Sequence, residues 1–147
     1  MVVALRNAAV ATETGGTFAA VGRSESELMA GVGRMFAVAE AYPWQQAIWQ
    51  QLAGRSQHAH AYLLHGPQGI GKRAMAERLM ARLLCQQPQG LDACGGCKSC
   101  LLLKAGSHPD NFVLEPEEAD KPIKVDQVRE LVAFVVQTAQ LGGRKVV

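Results

Sequence analysis

A parallel α/β fold built around a phosphate-binding loop is the class this sequence predicts, and three observations predict it. An apolar run, AYLLHG at residues 61–66, ends in glycine. The pattern G-x-x-x-x-G-K follows from Gly66 to Lys72, and then a helical stretch, IGKRAMAERLMARLLC. Strand, glycine loop and helix in that order let backbone N–H groups and a helix N-terminus converge on an anion. Further along, NFVLEP, VDQVRELVAFVVQTAQ and RKVV extend this to a β-α-β-α-β alternation, which implies a parallel sheet.

The bulk composition agrees with a folded domain. The chain has 147 residues, 48% of them apolar and 19% charged, which is enough apolar material for one core and too little charge for a disordered chain. A net charge of +2 is too small to imply nucleic-acid binding by charge alone. No apolar run approaches the roughly 18 residues of a membrane span, so no membrane partner is expected.

Residues 1–40 read differently from the rest. They are rich in Ala, Gly, Val, Ser and Thr, carry no Lys, and show no lasting period. Glu13, Glu25 and Glu27 argue against a transit peptide, and Arg6 interrupts a signal-peptide core. The expectation is a disordered or non-native extension, with Met35 a plausible internal start and an organised domain over 41–147. YPWQQAIWQQLAGR then predicts a packing helix with Trp44, Ile48 and Leu52 on one face and Trp49 beside them, Pro43 in its first turn and Gly54 at its end. A lid over a nucleotide pocket is the sharper alternative for it. AYLLHG predicts a buried strand, and the helix after the loop should bury Ala76, Leu79, Met80, Leu83 and Leu84. Residues 111–116 predict a second strand. The next helix should place Val125, Val128, Val132, Val135 and Ala139 along one face, with Asp126 as its cap and Gly142 at its end. RKVV opens a third strand that breaks off at Val147, so the domain is expected to be incomplete at the C-terminus.

The candidate binding residues of the loop are Gly66, Gly69, Gly71, Lys72 and Arg73. Glycines allow close backbone approach, and Lys72 would reach the phosphates as a point charge. The residue after the lysine should be Ser or Thr, whose hydroxyl ligates Mg²⁺. Here it is Arg73, always cationic and without an acceptor. The cradle is therefore expected to persist without efficient catalysis, so no catalytic residue is assigned and no intrinsic ATPase activity is expected. ATP can enter such a loop without being hydrolysed.

All four cysteines, Cys85, Cys94, Cys97 and Cys100, fall in one short stretch. Four thiolates suit a structural, tetrahedral Zn²⁺, and an insertion over about 85–105 is too small and polar to hold a core of its own. An iron–sulfur cluster and free or paired thiols are the competing readings. His108 is a weaker metal candidate, and packed or surface roles suffice for it and for His58, His60 and His65. Lys98, Lys104 and Arg82 could line a basic patch, more simply read as a solvated face.

The segments AYPW, HAYLLHGPQGIGK, LLCQQPQG, CGGCKSC, AGSHPD, IKVDQVRE and LGGRKVV together resemble the N-terminal part of the delta-prime subunit family of the bacterial DNA polymerase III clamp loader. The resemblance covers residues 41–147. It implies an AAA+ phosphate-loop NTPase fold, a three-layer parallel sheet with an inserted zinc-binding module whose ligands are the four cysteines. It further implies a cytoplasmic, non-hydrolysing stator within the DNA polymerase III holoenzyme. Its partners would be delta and gamma/tau subunits in a hetero-pentamer, and primed DNA through the assembly. Stators of this family supply an arginine finger from a Ser-Arg-Cys motif that would lie beyond Val147. Two other readings stand beside this: an active AAA+ clamp-loader ATPase subunit, and a zinc-dependent nucleic-acid-binding module.

Overall fold

The computed structural model describes residues 2–7, 42–118, 121–141 and 143–147, the first of these as backbone alone. The elements are β1 (Val2–Asn7), a 3₁₀ turn (Pro43–Gln45) running into α1 (Gln46–Ala53), β2 (Ala61–Gly66), α2 (Lys72–Leu84), α3 (Lys98–Lys104) and α4 (Val125–Val136). β1 and β2 form a two-stranded parallel sheet in a six-residue register, Val2 opposite Ala61 through Asn7 opposite Gly66. Within the stretch expected to be a disordered or non-native extension, the described residues Val2–Asn7 pair with β2. The rest of that extension, Met35 included, lies outside the described residues.

α1 begins where the sequence places it, with Pro43 in the first turn and Gly54 as its C-cap. Its buried face is different. Trp44 and Ile48 are exposed, while Gln45, Trp49, Leu52 and Ala53 are buried. The first turn is 3₁₀, at three residues per turn, and that rotates the apolar phase relative to a continuous α-helix. α2 buries Met75, Leu79, Met80, Leu83 and Leu84; Met75 takes the place expected of Ala76, which is half-buried. Trp49, Leu52, Leu79, Leu83, Leu103 and Val146 meet in one core, with Tyr62 and Leu64 of β2 packed against it.

β2 is half-covered rather than buried. Its residues alternate, Tyr62 and Leu64 toward the core and Leu63 exposed, because α2 covers one face and, among the described residues, nothing packs on the other. The strands expected over 111–116 and from Arg144 onward are reduced to one parallel bridge, Asn111 with Val146. Phe112 N–H donates to Val146 O (3.0 Å) and Val146 N–H to Asp110 O (2.9 Å). Beyond that bridge, Glu115 is drawn to Arg73 and its carbonyl to Gln127, so the segment leaves any ladder. The three-layer sheet of the expectation is therefore not what the described residues form.

α4 ends at Val136, four residues before its expected length, where Gln137 takes an extended backbone; Gly142 lies outside the described residues. Lys124, not Asp126, is the N-cap residue, its N–H received by Gln127 Oε1 at 2.9 Å. Asp126 instead pairs with Arg129. The helix is tethered through Phe134, which meets Phe112 at 5.3 Å between ring centroids and carries Lys145 Nζ 4.1 Å over its face. The valine stripe, Val125, Val128, Val132 and Val135, is exposed.

Candidate phosphate loop and metal centre

The loop joins β2 to α2 through three positive-φ glycines, Gly66, Gly69 and Gly71 (154°, 88° and 84°). Gly71 caps α2 in the left-handed region. A Cβ there would lie 2.5 Å from the Tyr42 ring and 2.8 Å from Gln45 Nε2, so conformation and space both demand glycine. The 3₁₀ turn sits against the loop. Gln45 Nε2 donates to Ile70 O (2.6 Å), Trp44 Nε1 reaches the same carbonyl (3.4 Å), and Tyr42 stacks on Trp44 at 4.8 Å. The packing role expected of this helix thus includes direct support of the loop.

Lys72 folds back on the loop, its Nζ donating to Gly66 O (3.0 Å) and Pro67 O (2.6 Å). Arg73, the next residue, turns to two carboxylates. Its Nε donates to Glu77 Oε1 (2.9 Å) and its Nη1 to Glu115 Oε2 (2.7 Å). The Glu115 bond is the leading cause that raises the Arg73 pKa above its ordinary value. All three side chains are solvent-accessible, so these pairs orient Arg73 more than they stabilise the fold.

The second site is the cysteine cluster. Cys85 ends α2, Cys97 caps α3, Cys100 lies within α3, and Cys94 comes from the intervening loop. Their sulfurs all lie within 4.8 Å of one another, with separations of 3.5 Å (Cys85–Cys94), 3.9 Å (Cys85–Cys97) and 3.9 Å (Cys94–Cys100). A tetrahedral ion with bonds of about 2.3 Å needs sulfurs about 3.8 Å apart, so the donor set fits Zn²⁺. None of the four is in a disulfide. Backbone N–H groups aid the thiolates: Cys94 N–H donates to Cys85 Sγ and Cys97 N–H to Cys94 Sγ, both at 3.3 Å. Burial pushes the Cys85 and Cys100 thiols up. At Cys97 burial also pushes upward, but N–H groups of Cys100 and Gln86 and the neighbouring sulfurs outweigh it and bring the thiol down to about 6. The N–H groups of Gly96 and Cys97 lower Cys94.

His108 stands outside this set. It is buried, its Nδ1 accepts from Asp110 N–H (3.0 Å), and its Nε2 lies 2.6 Å from Ser99 Oγ. Ser99 Oγ–H donates to Leu84 O (2.6 Å), so Nε2 carries the proton and the imidazole is neutral. Burial lowers its pKa, with the Asp110 charge opposing. The chain Leu84–Ser99–His108–Asp110 thus ties α2, α3 and the following turn together. Asp110, which sequence reasoning missed, is fully buried and its carboxylate accepts from Gln140 N–H and Leu141 N–H, both at 2.7 Å. The only signal for it was its place in the compact AGSHPD segment. Of the basic residues, Lys104 caps Gly95 O (2.8 Å). Arg82 instead acts with Arg144 and Arg55 on His58, whose pKa is lowered chiefly by burial and then by these charges.

A parallel strand, glycine loop and helix, with a four-cysteine cluster at the far end of that helix that could hold a metal ion, define a phosphate-loop-like α/β protein. A profile of the family described as "DNA polymerase III, delta subunit" matches residues 44–147. The chain is 74% identical over 110 residues to the DNA polymerase III subunit delta' of Pseudomonas aeruginosa, covering 75% of this chain and 34% of that one. Against the Escherichia coli subunit delta' it is 42% identical over 111 residues, 72% of this chain and 33% of the relative. A gamma/tau subunit of Mycobacterium bovis matches at 39% over 72 residues, 49% of this chain and 12% of that protein. The chain belongs to the DNA polymerase III delta subunit family, and its matched part is the N-terminal region of a delta-prime subunit. It spans about a third of the length of the delta-prime relatives it matches.

Proposed function

We propose that this chain is the N-terminal part of a non-hydrolysing stator of the DNA polymerase III clamp loader. It would support ATP-driven loading of the sliding clamp onto primed DNA, beside delta and gamma/tau subunits in the cytoplasm. The observation that carries the reading is Arg73, held by Glu77 and Glu115 in the position where a metal-ligating hydroxyl is needed. A cation there disfavours Mg²⁺, and without Mg²⁺ the charge developing on a transferred phosphoryl group is not neutralised. The glycine geometry is kept, so a nucleotide can occupy the loop without turnover, with Gly66, Gly69, Gly71 and Lys72 as its contacts. Cys85, Cys94, Cys97 and Cys100 would hold a structural Zn²⁺ that staples the insertion to α2; the ion contributes folding energy and no chemistry.

The test is clamp loading by an assembly reconstituted with the full-length subunit. Lys72→Ala is expected to leave the loading rate within about twofold, whereas the same change in a motor site abolishes phosphoryl transfer. Mg²⁺-dependent ATP turnover by the purified subunit, lost on Lys72→Ala, would defeat the reading.

A further inference from the structure

We propose that Arg78 is a joint that couples metal occupancy of the cysteine cluster to the phosphate loop. The inference rests on the zinc reading above. On one side, Arg78 grips Asp92 with a two-pronged bond, Nε to Oδ1 at 2.6 Å and Nη2 to Oδ2 at 2.9 Å. On the other, its guanidinium lies 4.2 Å over the Trp49 ring. The side chain is only 12% accessible, and Nη1 is buried without a hydrogen-bond partner, so among the described residues Asp92 is its one hydrogen-bonding anchor.

Each end of this joint leads to a site. Asp92 closes a turn whose ends exchange two backbone bonds, Gln89 N–H to Asp92 O (2.9 Å) and Asp92 N–H to Gln89 O (3.0 Å). The chain then reaches Cys94 two residues later. Fixing the Cys94 sulfur in a metal tetrahedron therefore fixes where Asp92 meets Arg78. Trp49 belongs to α1, whose leading turn carries the Gln45 and Trp44 bonds to Ile70 O in the loop. α2 itself runs from the loop to Cys85. Metal and loop are thus joined along α2 and again through Cys94, Asp92, Arg78 and α1. Lysine cannot replace Arg78 here, because an ammonium neither forks a carboxylate nor lies flat on an indole.

Both tryptophans of the chain lie on this second route, so it carries its own reporter. In a Trp44→Phe background Trp49 is the sole indole. The zinc-loaded 147-residue chain is titrated against a competing chelator while Trp49 emission and bound zinc are recorded. Arg78→Lys and Asp92→Asn are each expected to weaken Zn²⁺ binding about tenfold and to abolish the emission change on zinc removal, with the double variant no worse than either single. Metal analysis separates the two claims. If the parent chain holds no zinc, the zinc reading fails and the coupling with it. If it holds one zinc and both variants keep parental affinity and emission response, the coupling alone is overturned. Circular dichroism reports folding, and should Arg78→Lys unfold, the partly exposed Asp92→Asn decides by itself.

Discussion

At Gly71 a single hydrogen atom in place of a side chain decides whether α2 can start beneath the Tyr42 ring. Its φ of 84° is in the left-handed region, so Gly71→Ala is expected to cost about 1–2 kcal/mol from backbone strain before any clash is counted. Urea denaturation of parent and variant measures this. His108 gives a pH dependence. Its folded pKa lies below the ordinary 6.5, so below pH 6.5 the unfolded chain binds more protons than the folded one. Its contribution is fully present above 6.5 and is lost as pH falls toward the folded value. Denaturation midpoints followed down to about pH 5 should therefore fall more steeply for the parent than for His108→Gln. Equal slopes would contradict the neutral, buried imidazole. That the four cysteines come together was legible from their spacing. Asp110 was not, because its function is to receive N–H groups of Gln140 and Leu141, about 30 residues further on.

Of the helices, α1, α2 and α4 were readable as elements, while α3, hidden in the cysteine-rich stretch, was not; the buried faces were only partly readable. α2 matched its pattern nearly residue for residue, since a continuous α-helix keeps the 3.6 period that the apolar spacing assumes. α1 did not, because its 3₁₀ lead-in changes that period. α4 has the clearest valine stripe in the chain, and the stripe is exposed. Periodicity states which residues share a face; it does not state that a partner covers it. Stability should follow packing and not apolarity. Leu79→Ala, at a fully buried position, is expected to cost about 3 kcal/mol. Val132→Lys, at a position 58% exposed, should change stability by less than about 0.5 kcal/mol. Thermal and urea unfolding of the two variants side by side checks the contrast.

Across the whole molecule, β1 covers one edge of β2, the strand that delivers the phosphate loop. A chain beginning at Met35 lacks that partner and leaves backbone donors and acceptors open to pairing with another chain. It is expected to melt at lower temperature and to aggregate more readily, as light scattering during a thermal ramp would record. Unchanged melting and scattering would mean that β1 adds nothing to the sheet. The amino-acid sequence alone determined the glycine pattern, the arginine after its lysine, the cysteine spacing and the places of α1, α2 and α4, because each depends on residues close together in the chain. Only the tertiary structure decided what Arg73 and Arg78 grip, which strand lies beside β2, and that both ring nitrogens of His108 are hydrogen-bonded. Those outcomes are set by groups brought together from distant positions, where competing partners within reach, and not local preference, determine the contact that forms.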